Sequence, residues 1–120
     1  MEGRFSDQKN RPSIKVFYDC DHLSVSDFTG VLLGIEEEGI PYDVQEEHTS
    51  DVLELAHKAS LDSRLGVGVG ISKEGIVLQY EKLDKAAPLF KIKLYQKELF
   101  RNIGANAARL VKKMPFKPLD

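Results

Sequence analysis

The sequence has few of the features by which several common protein classes are recognised. Cysteine occurs once, as Cys20, so the chain can form neither an internal disulfide nor a zinc cluster of several thiolates. No apolar run approaches the roughly 18 residues that cross a bilayer. Residues 1–12 are polar and lack the apolar core of a signal peptide. We therefore expect a reduced, cytoplasmic protein with no membrane partner.

An excess of positive charge is also missing. Lys and Arg number 17 and Asp and Glu number 19, for a net charge of -2, which argues against a nucleic-acid partner. The charges are unevenly distributed, however. Nine acids and one base lie in residues 36–62, whereas eight bases and two acids lie in residues 91–120. This asymmetry could steer a charged partner, or it could form two solvated faces of one fold.

Hydrophobic periodicity predicts the order β-α-β-α-β-β-β-α in a single α/β domain over residues 14–120, after a flexible tail over residues 1–13. The predicted strands cover residues 14–18, 42–45, 65–72, 76–80 and 88–94. The predicted helices run from Ser24 or Ser26 to Glu38, from Ser50 onward, and from about Glu98 to Lys113. Alternating strands and helices favour a mostly parallel sheet with helices packed on its faces. The short link at residues 73–75 predicts a hairpin, so the fourth strand should oppose the third.

Three carboxylates, Glu36, Glu37 and Glu38, occupy the predicted last turn of the first helix, before a left-handed stop at Gly39. The helix dipole is negative there and disfavours each exposed anion by about 0.3–1 kcal/mol. The pattern therefore calls for a cation from elsewhere, either a metal ion or a basic partner surface. At about 100° per residue, Glu36 and Glu38 flank the buried stripe and Glu37 points directly away from it. A solvated acidic helix end is the alternative.

The last predicted helix carries a polar stripe of Asn102, Asn106, Arg109 and Lys113. The stripe would bind a partner if it faces outward. Gly104 lies in the middle of this helix, where Gly costs about 1 kcal/mol relative to Ala. Close packing against another backbone or against the sheet would explain it.

Signals for catalysis are weak. Residues 66–70 read GVGVG, but a dinucleotide-binding loop needs a further Gly at Ile71 and a following helix, so a close backbone approach is the better interpretation. The three histidines lack zinc-site spacing. Cys20 lies between Asp19 and Asp21, whose charges disfavour its thiolate, so it is a poor nucleophile.

Two stretches together resemble a known family. They are residues 32–41 (LLGIEEEGIP) and residues 101–112 (RNIGANAARLVK), the second followed by Pro115 and Phe116, with residues 87–90 (APLF) between them. The sequence resembles the small subunit of the diol or glycerol dehydratase reactivases over roughly residues 14–119. The paired motifs are more specific than either motif alone.

The resemblance implies a three-layer α/β domain like the medium subunit of the adenosylcobalamin-dependent dehydratases, with a mixed sheet of about five strands, one of them antiparallel. It implies a subunit with no catalysis of its own that binds no cofactor when alone. The partner would be a large ATPase subunit with an Hsp70-like core, in a heterotetramer of two large and two small chains. The small subunit would exchange with the dehydratase medium subunit so that damaged cobalamin escapes in an ATP-dependent cycle.

The resemblance also implies a role for Glu37, which matches the middle Glu of the family motif and would reach a magnesium ion held mainly by the large subunit. The expected partner-binding residues are Glu36, Glu37, Glu38, Asn102, Asn106 and Arg109. Residues 19–27 match no motif. The client, glycerol or propanediol dehydratase, and any association with a bacterial microcompartment stay open.

Three alternatives stand beside this interpretation. The chain could be the dehydratase medium subunit itself, although we expect a long N-terminal extension there and only about a dozen residues precede the first predicted strand. It could be an α/β enzyme that uses the glycine-rich strand for a nucleotide. It could be an RNA-binding domain of related architecture, with the basic last helix as its surface.

Overall fold

Five strands form one mixed sheet in the order β2-β1-β3-β4-β5 in the computed structural model, which describes residues 11–120. The strands are β1 (Ile14–Asp19), β2 (Tyr42–Glu47), β3 (Val67–Ser72), β4 (Gly75–Tyr80) and β5 (Phe90–Ile92). β1 pairs in parallel with β2 and β3, while β4 is antiparallel to both β3 and β5. Among the described strands β4 alone opposes the others, which confirms the predicted sheet.

Three α-helices cover the two faces of the sheet. They are α1 (Thr29–Glu37), α2 (Val52–Asp62) and α3 (Phe100–Lys112), with 3-10 turns before α1 and α3 at Val25–Phe28 and Lys97–Leu99. α1 and α3 share one core with the sheet, and α2 forms two smaller clusters on the opposite face. This arrangement confirms the three-layer α/β architecture. Within residues 11–120 no helix combines the length and the apolar character needed to cross a bilayer.

The central position of β1 explains its continuous apolar run. Ile14, Val16 and Tyr18 point into the core beneath α1 and α3, whereas Phe17 packs against Leu55 of α2. A strand buried on both faces cannot alternate apolar and polar residues as a half-exposed strand does.

Several element boundaries differ from the predictions. α1 begins at Thr29 because the chain first forms a 3-10 turn, which opens where the Asp27 carboxylate accepts the Ser24 N–H at 2.9 Å. α2 is capped by Asp51 rather than by Ser50, since the Asp51 side chain accepts the Glu54 N–H at 3.2 Å. Gly39, with φ of 80°, ends α1 as predicted.

The third helix and the fifth strand are shorter than expected. α3 starts at Phe100 because residues 97–99 form a 3-10 turn, and the fifth strand keeps three of its seven predicted residues. Met114 lies beyond the end of α3 and is 41% exposed.

The structure describes only the last three residues of the predicted N-terminal tail. Residues 1–10 of the predicted tail lie outside the described residues. Ser13, which we assigned to the tail, is instead fully buried: its hydroxyl donates to Asp43 at 2.6 Å, and its carbonyl accepts from the Ser63 hydroxyl at 2.6 Å. Arg11 also pairs with Asp43, at 3.0 Å. Residues 11–13 therefore belong with the folded domain.

Glycines allow two close backbone approaches. A Cβ atom on Gly104 of α3 would overlap the Val31 carbonyl group of α1, with its carbon at 2.9 Å, and one on Gly34 would lie 2.8 Å from the Ala105 nitrogen. On the other face, Cβ atoms on Gly68 and Gly70 would overlap the backbone of α2. These contacts confirm the close-approach interpretation of the glycine-rich strand, and they show that Gly104 packs on a helix rather than on the sheet.

The close contact between α1 and α3 predicts that Gly104→Ala destabilises the protein, although Ala is the better helix former. Helix propensity alone would stabilise the variant by about 1 kcal/mol. Overpacking typically costs about 1–3 kcal/mol, and the rigid backbone here calls for the upper part of that range. We therefore expect the free energy of unfolding to fall by about 1–2 kcal/mol net in urea titrations.

Gly39→Asn is the matched control. It lies in open space, and Asn tolerates the left-handed conformation better than other side chains do. Its unfolding free energy should stay close to that of the unmodified chain. If the Gly104→Ala variant is as stable as the unmodified chain, α1 and α3 can move apart without a loss of unfolding free energy, which would contradict this prediction.

Candidate functional site

The contact between α1 and α3 brings the acidic end of one helix to the basic residues of the other. Glu37, the last residue of α1, and Glu38, its C-terminal cap, face Arg101, Arg109 and Lys112 of α3. The three carboxylates differ in their surroundings. Glu36 is exposed, the Glu37 side chain is 50% exposed, and the Glu38 side chain is only 13% exposed.

Glu38 is held by two cations of its own chain. Its carboxylate accepts from Lys112 Nζ at 2.8 Å and from Arg109 Nε at 3.2 Å. Lys112 Nζ also donates to the Glu38 backbone carbonyl at 2.8 Å, which satisfies one of the free carbonyls at the end of α1. The hydrogen bond from Lys112 is the largest cause that lowers the pKa of Glu38, and Arg109 adds to it against the opposing effect of burial.

Glu37 lies outward, as the helix geometry predicts, and forms an exposed ion pair with Arg101. Arg101 Nη2 makes a close contact with one carboxylate oxygen, and Nε lies 3.4 Å from the other. The Arg101 side chain is 59% exposed and the Glu37 side chain is 50% exposed. The cations beside Glu37 and Glu38 thus come from the same chain, and not from the metal ion or partner surface that the charge pattern suggests. A magnesium role for Glu37 stays a prediction.

The polar stripe of α3 is partly covered by the end of the chain: Asn106 is buried, Asn102 and Arg109 are half-buried, and Lys113 is exposed. Asn102 donates to the Pro118 carbonyl at 3.0 Å. Asn106, which is fully buried, donates to the Lys117 carbonyl at 2.9 Å and accepts the Lys117 N–H at 2.6 Å. Arg109 donates to the Pro115 carbonyl at 3.1 Å. The condition of an outward-facing stripe is not met at these three residues, because residues 115–118 turn back along the helix and use its amide and guanidinium groups. Their part in partner binding stays a prediction.

Two accessible residues near Glu37 were missed in the sequence. Leu33 lies one helical turn before Glu37 and is 39% exposed, and Arg101 reaches across from α3. The spacing between Leu33 and Glu37 was a usable signal, since residues four apart share a helix face. Leu33, Glu36, Glu37 and Arg101 form the surface that we call the α1-end surface.

The surroundings of Cys20 disfavour its thiolate, as predicted, but burial contributes more to this than the neighbouring charges do. Partial burial is the largest cause that raises the pKa of the Cys20 thiol, followed by the charges of Glu46, Asp21 and Asp19. The thiol lies beside the imidazole of His48, at 3.7 Å between Sγ and Nδ1.

Comparisons with known proteins agree with one another. Residues 11–117 match the sequence profile of the family described as dehydratase medium subunit. The chain is 50% identical over 108 residues to the propanediol dehydratase-reactivating factor small subunit of Citrobacter freundii, over 88% of this chain and 90% of that protein. It is 41% identical over 109 residues to the diol dehydratase-reactivating factor small subunit of Klebsiella michiganensis, over 90% of this chain and 84% of that protein.

Solved structures give the same result. A structure described as glycerol dehydratase reactivase matches with a TM-score of 0.84 and 31% identity, over 90% of this chain and 98% of that one. A diol dehydratase-reactivating factor complexed with ADP and Mg2+ matches with a TM-score of 0.82 and 39% identity, over 90% and 99% of the two chains.

The Glu38 ion pairs predict an acid-sensitive contribution to stability. Because the pKa of Glu38 is lower in the folded chain than its ordinary value of about 4.3, the pairs stabilise the fold above that pH. That stability is lost as the pH falls through the folded value. We expect Glu38→Gln to unfold at lower urea concentration than the unmodified chain at pH 7, with the gap closing below about pH 4.3.

Glu36→Gln removes the same charge from a residue that forms no ion pair within the described residues. It should therefore show little loss of stability at pH 7. A gap for Glu38→Gln that stays constant from pH 7 to pH 3 would contradict the ion-pair explanation.

Proposed function

The chain belongs to the dehydratase medium subunit family, among the small subunits of dehydratase-reactivating factors, and from this premise we propose that it is the exchangeable, non-catalytic subunit of a diol or glycerol dehydratase-reactivating factor. The observation that carries the proposal is 41–50% identity to three curated small subunits over 88–90% of this chain.

We propose that the chain works by exchange with the dehydratase medium subunit. The profile that matches residues 11–117 is named for that medium subunit, whereas the curated relatives are named reactivating-factor small subunits. Two chains of one fold can occupy the same place on a common partner. A large ATPase subunit would release this chain, take the medium subunit, and thereby open the dehydratase so that damaged cobalamin leaves. ATP binding and hydrolysis by the large subunit would reset the cycle.

Glu37 is the proposed contact to magnesium held by the large subunit. A carboxylate suits Mg2+, which prefers oxygen ligands and usually takes only one or two carboxylates from protein. The Glu37 carboxylate fits this role because it is accessible and is paired only with an exposed arginine among the described residues. Exposed ion pairs contribute little net free energy, so Arg101 can release Glu37 at low cost. A related structure contains ADP and Mg2+, which supports a magnesium-dependent assembly.

The other residues of the acidic helix end would support this contact. Glu38, Arg109 and Lys112 fix the end of α1, so that Glu37 is presented from a rigid position. Leu33 adds an apolar contact beside the carboxylate. Asn102 and Asn106 would act through residues 115–118, which they hold against α3. We propose partner binding through the α1-end surface, with the polar stripe in a supporting role.

The function is tested by reactivation of an inactivated dehydratase. A diol or glycerol dehydratase whose cobalamin has lost its adenosyl group is mixed with adenosylcobalamin, ATP, Mg2+ and the large subunit of the same organism. We expect activity to return when this chain is included and not when it is left out, and we expect this chain alone to restore none. Full reactivation without this chain would overturn the proposal.

The same mixture also tests the alternative that this chain is the dehydratase medium subunit, which the name of the matching family favours. A medium subunit would co-purify stably with the other dehydratase subunits and would not raise reactivation. Native mass measurement of the complex would also test the proposed assembly of two large and two small chains.

Glu37→Gln is expected to weaken assembly much more than folding. The variant keeps the shape of the side chain but loses the charge that a magnesium ion requires. We expect a melting temperature near that of the unmodified chain and about tenfold or greater loss of affinity for the large subunit in Mg2+, equal to about 1.4 kcal/mol or more. Surface-bound large subunit titrated with each variant provides the measurement.

Glu36→Gln serves as the charge-matched control and should lose much less affinity. Replacing Mg2+ by a chelator should reduce the difference between Glu37→Gln and the unmodified chain, since both then lack the ion. Equal affinity of Glu37→Gln and the unmodified chain in Mg2+ would remove Glu37 from the metal site.

A further inference from the structure

A second cluster of potential ligands lies at the opposite end of the sheet from Glu37. Cys20 follows β1 and His48 follows β2, each directly after the last strand residue. Asp19 and Glu47 are register partners in this parallel pair, and the Cys20 N–H donates to the Glu47 carbonyl at 2.9 Å. The ladder therefore continues by one step and places Cys20 beside His48, although 28 residues separate them in the chain.

Three different ligand atoms converge at this point. His48 Nδ1 lies 3.7 Å from Cys20 Sγ and 3.0 Å from an Asp21 carboxylate oxygen, and all three atoms lie within 4.8 Å of one another. Tetrahedral zinc with ordinary bond lengths would separate sulfur from nitrogen by about 3.6 Å and nitrogen from oxygen by about 3.3 Å. The two spacings from His48 Nδ1 are close to these values. In the metal-free chain the same nitrogen hydrogen-bonds with Asp21 and contacts the Cys20 thiol, so an ion would replace those contacts without moving the three side chains far.

The surrounding residues support a cation there without competing for it. Asp19 is buried and already engaged, since it accepts the Asp21 N–H at 3.1 Å and contacts His22 Nδ1 at 2.7 Å. Glu46 lies on β2, two residues before His48, and its carboxylate accepts from the Tyr18 hydroxyl at 3.3 Å. These carboxylates make the local potential negative, which favours a divalent cation. Asp19 also fixes the turn that carries Asp21.

We infer that Cys20, Asp21 and His48 form a binding site for a borderline transition metal ion, with Zn2+ as the preferred occupant. Thiolate, imidazole and carboxylate together are typical zinc ligands, whereas Mg2+ would not select a sulfur ligand. Asp21 and His48 have side chains that are 51% and 74% exposed, so a fourth position would remain open to water. The site is separate from the α1-end surface, because Glu37 lies beside the amino ends of the same strands.

Cobalt titration tests the site directly. Co2+ is added to the reduced, untagged full chain, whose residues 1–10 contain no His or Cys. We expect one equivalent of Co2+ to give a thiolate-to-cobalt charge-transfer band, and Zn2+ to abolish the band by displacement. A large excess of Mg2+ should leave the band unchanged. Absence of the band, together with no measurable Zn2+ isotherm in calorimetry, would overturn the inference.

Variants then assign the ligands. Cys20→Ser should remove the band, and His48→Gln should weaken Zn2+ binding by at least about tenfold, as loss of a ligand exceeds the effect of outer-shell changes. His22→Gln is the matched control, since His22 is a neighbouring exposed imidazole turned towards Asp19, and it should bind Zn2+ like the unmodified chain. Zn2+ binding that is unchanged in both Cys20→Ser and His48→Gln would place the ion elsewhere and refute the assignment. Circular dichroism confirms that each variant is folded.

Discussion

The close contact between the backbones of α1 and α3 determines where the charged groups of this protein meet. Gly34 and Gly104 let the two helices approach until a methyl group would no longer fit between them. At that distance Glu37 and Glu38 lie within reach of Arg101, Arg109 and Lys112. The carboxyl ends of α1 and α3 both carry the negative end of a helix dipole, so Lys112 and Arg109 offset the dipoles and the Glu38 charge together. A small change in helix separation would therefore alter the electrostatics of the whole surface.

The three glutamates at the end of α1 divide into two structural roles. Glu38 is nearly buried and doubly paired, and it fixes the helix end through Lys112, which also binds the Glu38 carbonyl. Glu37 is exposed and paired with one exposed arginine, and Glu36 is exposed without an ion pair among the described residues. A group that ligates an ion on another subunit must be accessible and must be carried by a rigid helix end. Little entropy is then lost on binding.

Local patterns in the sequence predict the individual strands, the hairpin, the stop at Gly39 and the outward position of Glu37, because each depends on residues close together in the chain. The origin of the cations was not predictable in this way, since Glu38 and Lys112 are 74 positions apart. The same holds for the polar stripe of α3. Pro115 and Pro118 indicate that the helix has ended, but nothing in their spacing indicates that the chain returns along Asn102 and Asn106. Helix periodicity identifies a face and leaves open what covers it.

The parallel register of β1 and β2 also explains why spacing in the sequence did not point to the cluster of Cys20, Asp21 and His48. Ligands on one helix or loop repeat at short intervals, which Cys20 and His48 do not. The carboxyl ends of neighbouring parallel strands bring together residues that are separated by a whole strand–helix unit. In this chain that unit contains α1, whose far end carries Glu37. The segment that places Glu37 at one end of the sheet therefore also sets the register that brings Cys20 to His48 at the other. The proposed magnesium contact and the proposed zinc site would thus share a scaffold and differ in ligand chemistry.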